Sequence, residues 1–235
     1  MTAQRQINLK AGLFLAAAFV AVWFLWETPV VYPLKIFVVC LHELGHALAA
    51  LLTGGQVVSI QIFPEEGGLT MTRGGWPFII ISGGYLGSML LGGSLLYLSN
   101  YRQWARHLML ALAVLIGLST VLFFRNFFAV LYGLLVAAAL FFSAYRLPVN
   151  VNFYIIRFMA VACCLYALLD IRSDLFAPGV GGPGIVNDAV ALSQLTGIPA
   201  IIWAVLWLAA ALIVLALVLK ASIRRPDRAN IRHQT

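Results

Sequence analysis

Seven stretches of this chain are apolar over the length of a membrane span: residues 11–26, 30–53, 77–99, 104–124, 126–145, 151–172 and 198–219. A helix crosses the hydrocarbon core of a bilayer with roughly 20 mostly apolar residues, so these runs constrain the fold more than any other feature. Composition agrees. Of 235 residues, 63% are hydrophobic and 10% charged, whereas soluble domains run near 25% charged. A soluble domain of this size has too little interior to hide that much apolar surface. A water-soluble enzyme, a disordered tail and a nucleic-acid module are thereby excluded. The expected fold is an all-α polytopic membrane protein of about seven transmembrane helices, one domain over 1–235, embedded as a multi-pass protein of the plasma membrane.

The first span is expected to be a true span and not a signal peptide. It lacks a small-x-small cleavage site, and Trp23, Trp26 and Glu27 stand where one would be needed. The formal net charge of +7 comes from residues at segment ends and from a C-terminal run of Lys220, Arg224, Arg225, Arg228 and Arg232. Beside a hydrophobic segment such a run points to anionic lipid headgroups, not to nucleic acid. Cys40, Cys163 and Cys164 all lie inside apolar stretches and are read as packing residues.

Two loops are long. In 54–76, Val57 to Phe63 and Gly68 to Arg73 are short β-prone runs around Pro64-Glu65-Glu66-Gly67, a strong turn signal. A β-hairpin at the membrane face is expected. Its edges cannot face lipid unsatisfied and must lie in water or against protein. Loop 173–197 is rich in Gly and Pro, and from Asn187 the chain can re-enter a short helix with Asn187 or Asp188 as N-cap. Arg125 and Asn126, between the fourth and fifth spans, are expected to satisfy backbone groups at a tight turn. The small residues Gly84, Ser88 and Gly92, four apart, suit close packing of the third span on a neighbour.

The second span carries the chemistry. It reads Cys40-Leu41-His42-Glu43-Leu44-Gly45-His46-Ala47. Residues four apart share a helix face, so His42 and His46 can close on one metal ion. Glu43 follows the first ligand by one residue, where a carboxylate can take a proton from a water activated by that metal. This pattern alone is weak in a soluble sequence. Inside a span, however, each ionisable group costs several kcal/mol unless it pairs, ligates metal or lines water, and three within five residues are hard to explain as packing.

Two histidines leave a catalytic zinc one protein ligand short. Glu27 lies at a span end, Glu65 and Glu66 at the hairpin tip, and Asp227 in the tail, which leaves Asp170, Asp174 and Asp188. The second and sixth spans run in the same direction. At about 1.5 Å per residue, Asp170 lies about 8 Å deeper than the histidine pair and Asp174 about 14 Å, so depth puts Asp170 first. The alternative reading of both is an interfacial ion pair with Arg172.

Taken together, these residues resemble the site-2 protease class of intramembrane zinc metalloproteases, the M50 peptidases, and most closely their M50B-like branch. The resemblance rests on HELGHALAALLTGG at 42–55, TRGG at 72–75, LLDIRSDL at 168–175 and NDA…TGIPA at 187–200. It implies a Zn2+ ion held by His42, His46 and an aspartate, with Glu43 as general base. The chain departs from the better-studied members in having no Asp-Gly pair. Position then offers Asp170 or Asp174, and local pattern offers Asp188, an aspartate that opens a helix after a Gly/Pro loop. The Gly-Pro and Asn those members carry after the hairpin are also missing from Ser82-Gly83-Gly84-Tyr85-Leu86-Gly87.

The expected activity is hydrolysis of peptide bonds in or near transmembrane segments of membrane-protein substrates. Helical amides bond to themselves, so a substrate must unwind first. The hairpin can hold the unwound strand by edge addition, with Val57, Ile60, Leu69 and Met71 positioning it. The alternatives are an inactive protease-like binding protein and, from a third class, a metal transporter. A base directly after the first histidine favours hydrolysis over transport.

Overall fold

The computed structural model describes residues 2–176 and 187–224. Eight α-helices and one hairpin follow in the order α1 (Thr2–Leu25), α2 (Tyr32–Leu52), β1 (Gln56–Ile62), β2 (Gly68–Arg73), α3 (Pro77–Leu98), α4 (Ala105–Leu122), α5 (Phe127–Arg146), α6 (Val149–Phe176), α7 (Asp188–Thr196) and α8 (Ala200–Arg224). The seven expected spans correspond to α1–α6 and α8. Among the described residues, α2, α3, α4, α5, α6 and α8 are long and apolar enough to cross a membrane, and α1 carries a shorter apolar run, Gly12–Leu25. The protein is an integral multi-pass membrane protein. The Gly/Pro stretch 177–186 and the tail beyond Arg224 lie outside the described residues.

Proline and asparagine mark where helices begin. Pro77 opens α3, where its missing N–H costs nothing. Asn187 caps α7 by accepting from the Val190 N–H at 2.9 Å, and Gly197 ends that helix in the left-handed region, φ 73°. The three cysteines are buried and unpaired, as packing residues should be.

Helix α2 is the most enclosed of the six spans, which follows from its place between α3, α6 and the hairpin. Glycine brings α2 and α3 together. A Cβ on Gly45 would stand 2.2 Å from the Gly83 carbonyl oxygen, and one on Gly87 2.7 Å from the Gly45 Cα. The two backbones therefore touch, as small residues permit between membrane helices. Further along α3, Gly92 packs against Cys163 on α6.

The hairpin packs along α2. It leaves the C-terminal end of α2 and runs back along that helix to its other end. There the Tyr32 hydroxyl donates to the Pro64 carbonyl at 2.9 Å, and the buried Lys35 ammonium meets Glu66 at 2.8 Å. Seven strand residues at about 3.3 Å each cover most of such a helix. The outer edge of β1 is sealed by the corner between α4 and α5. The Ile60 N–H donates to the Phe123 carbonyl at 2.7 Å, and the Arg125 N–H to the Ile60 carbonyl at 3.0 Å. The Asn126 side chain then acts as a detached peptide group: it accepts from the Ile62 N–H at 3.2 Å and donates to the Ile62 carbonyl at 2.6 Å. Arg125 donates to the Phe124 and Leu122 carbonyls. Both residues satisfy backbone, as expected, but Asn126 does so for β1.

Ile62 is fully buried, so Asn126→Leu would strand one donor and one acceptor, each costing about 1–3 kcal/mol. The expected outcome is a lower thermal unfolding midpoint in detergent than wild type. An unchanged midpoint would show that the corner is not what satisfies β1.

Candidate metal centre and base

Three elements deliver the site. On α2, the i, i+4 spacing stacks His42 and His46 on one face, with their Nε2 atoms 3.1 Å apart. On α3, the Ile80 carbonyl accepts a hydrogen bond from His46 Nδ1 at 2.7 Å. A carbonyl can only accept, so Nδ1 carries the proton and Nε2 turns its lone pair into the site. From α7, Asp188 brings Oδ2 to 3.1 Å from His42 Nε2 and 3.2 Å from His46 Nε2. Helix α7 is anchored by Ala189 and Leu192, which pack with Tyr85, Met89, Ala204, Trp207 and Ala211 of α3 and α8.

Asp188 was the alternative offered by local pattern. Asp170 and Asp174 lie on α6, and their side chains fall outside the described residues. Among the described residues, His42, His46 and Asp188 are the one group of histidine, cysteine or acidic side chains gathered closely enough to hold a metal.

The donor set fits a zinc ion. Four ligands at about 2.0–2.1 Å in a tetrahedron stand about 3.3–3.4 Å apart, close to the three separations found. Asp188 Oδ2 is buried without a hydrogen-bond donor among the described residues, although two imidazole nitrogens face it. Space is reserved as well. A Cβ on Gly84 would stand 2.3 Å from His42 Nε2 and 2.5 Å from His46 Nε2. Gly84 belongs to the stripe expected to serve packing; against α2 its missing side chain leaves room in front of both nitrogens.

Glu43 is buried, 4% exposed, and points to the hairpin. Its Oε2 accepts from the Thr70 hydroxyl at 2.6 Å, and a Cβ on Gly68 would meet its Oε1 at 2.5 Å. Neither Thr70 nor Gly68 was among the positions expected from sequence. Strand alternation would have been the signal, because both lie on the face of β2 opposite Leu69 and Met71. Those two are exposed at 36% and 44%. Val57 is half-buried. Ile60 is fully buried and its backbone groups are spent on the α4–α5 corner, so it belongs to the core.

The sequence model of the Peptidase M50B-like family matches residues 15–218, a range that holds every residue of this cluster. The chain belongs to the M50B-like peptidases. No curated protein and no solved structure matches it. Membership in this branch of the M50 site-2 proteases gives the buried cluster a context: a peptidase family whose members are zinc metalloproteases generally, in a chain that crosses the membrane several times.

Gly84→Ala puts a methyl group where the candidate ligand atoms of His42 and His46 converge. The expected outcome is a purified M50B-like protein that folds but retains clearly less zinc than wild type by elemental analysis. Equal zinc would mean that the space before the imidazoles is not the metal site.

Proposed function

We propose that the protein is an intramembrane zinc endopeptidase that cleaves membrane-protein substrates in or near their transmembrane segments. The observation that carries this reading is the convergence of His42 Nε2, His46 Nε2 and Asp188 Oδ2 within 3.1–3.2 Å of one another, with Glu43 next in sequence to one ligand and held against a β-strand. His42, His46 and Asp188 would hold the ion. When bound, zinc supplies Lewis acidity, polarising a carbonyl and making water acidic near neutral pH.

The chain's own residues do the rest. Glu43 takes one proton from the attacking water, whose oxygen forms the new bond to the scissile carbonyl carbon. As the C–N bond breaks, Glu43 returns that proton to the leaving nitrogen. The products are a carboxyl and an amine terminus. Enclosure of α2 by α3, α6 and the hairpin keeps bulk water and lipid from the ligands. The strand that receives the substrate is β2, because β1 is already flanked on both sides, by β2 and by the α4–α5 corner. A backbone offered beside Glu43 suits a substrate that arrives unwound. Leu69 and Met71, exposed on β2, would contact its side chains.

Two results test this reading. Zinc in the purified protein should fall to background in a His42→Ala/His46→Ala double variant and weaken by at least about tenfold in affinity in Asp188→Asn. Equal zinc in wild type and double variant would overturn the metal assignment. Glu43→Gln should keep its zinc and lose cleavage of co-expressed single-span substrates by on the order of 10²–10⁴-fold, the usual share of a general base. Undiminished cleavage would refute the role of Glu43. A zinc-loaded wild type that cleaves no member of a broad panel would favour a binding protein instead.

A further inference from the structure

The residues of β2 that present backbone at its outer edge are the same residues that lie against Glu43. The hydrogen-bond pattern establishes this. Both backbone groups of Ile60 face the α4–α5 corner, and both of Ile62 face Asn126. A strand residue that turns N–H and C=O away from its neighbour forms a non-hydrogen-bonded pair, and its partner turns outward too. The partners of Ile60 and Ile62 are Thr70 and Gly68. Leu69, between them and opposite Gln61, spends its groups on β1. Thr70 and Gly68 therefore offer their N–H and C=O at an edge with no further strand among the described residues.

The same two residues meet the base. The Thr70 hydroxyl donates to Glu43 Oε2 at 2.6 Å and lies 3.1 Å from the Glu43 backbone carbonyl. Its single proton goes to the shorter, charge-assisted bond. That leaves Oε1 as the oxygen with lone pairs to spare, and Oε1 is the atom nearest to where a Gly68 side chain would be.

Building on the proteolytic reading, we propose that Thr70 is a positioning residue that couples substrate docking to the base. Its backbone pairs with an extended, unwound peptide strand, while its hydroxyl holds Glu43 so that Oε1 accepts the proton. The ligand class is a peptide backbone in β conformation, held through its N–H and C=O groups. Because strand pairing repeats every two residues, a slipped substrate moves by about 7 Å. Each such register sets a scissile bond beside Oε1, so alternative cleavage points along one substrate fall two residues apart.

The test uses the full chain, zinc-loaded, and a single-span reporter whose transmembrane Leu/Ala helix is interrupted by Asn-Gly. Thr70→Val keeps shape and removes the hydroxyl. It should retain wild-type zinc and a KM within about twofold, while kcat falls by on the order of 10–100-fold, as expected when a reacting group loses its alignment. Thr70→Ser should restore most of kcat. Independently, amide exchange is followed by NMR in Glu43→Gln protein: the Thr70 N–H should exchange fast alone and slowly with reporter bound, whereas Leu69 should be slow in both. Wild-type kcat in Thr70→Val, or a Thr70 amide left unprotected by bound reporter, would overturn the proposal. Should Thr70→Val fail to fold, the exchange measurement decides with β2 intact. A wild type that cleaves nothing would count against the proteolytic reading, and Thr70 protection would still decide whether β2 is the docking edge.

Discussion

Two imidazole nitrogens and a carboxylate oxygen face one another at 3.1–3.2 Å inside an apolar bundle, where a positive charge between them offsets the cost of burying them. The rest of the architecture follows from that constraint. Helix α2 must carry two imidazoles on one face, α3 must come close enough to hold one of them by a backbone carbonyl, and an anionic third group must arrive from a separate element. The glycines of α3 meet the second demand. Any side chain at Gly83, Gly84 or Gly87 would push α3 off α2 or block the imidazole nitrogens. Helix α7 meets the third by placing Asp188 directly after an Asn cap.

The hairpin answers a second constraint, that no strand edge can be left unsatisfied in lipid. One edge is closed from within by the α4–α5 corner, with Asn126 supplying an amide where backbone runs out. The other has no further strand among the described residues and lies against Glu43 within the protein. On the proposed reading, an incoming strand has one place to pair, and that place is beside Glu43. The latch of Lys35 and Tyr32 on the hairpin tip keeps this ribbon along α2.

Much of this is legible in the sequence because it is local. The i, i+4 histidines with the intervening glutamate, the strand alternation on each side of Pro64-Glu65-Glu66-Gly67, and the Asn187 cap each depend on neighbours within a few residues. Spans were legible for the same reason. What depends on tertiary approach was not. A ranking of the acids by depth along continuous spans takes no account of a nine-residue helix that re-enters from a loop and carries Asp188 to the two histidines. Gly84 reads as a packing residue until α3 is laid against the two imidazoles. Asn126 reads as a turn residue, and nothing nearby says that the backbone it satisfies is 64 residues away.

X-ray absorption at the zinc edge of the purified, zinc-loaded protein measures the proposed ligand set directly. Nitrogen and oxygen donors alone, at about 2.0–2.1 Å, with outer-shell scattering from two imidazoles, are the result expected for His42, His46 and Asp188. The Asp188→Asn variant should show an altered first shell. A sulfur shell near 2.3 Å, which would bring in Cys40, Cys163 or Cys164, or a spectrum unchanged by Asp188→Asn, would contradict it.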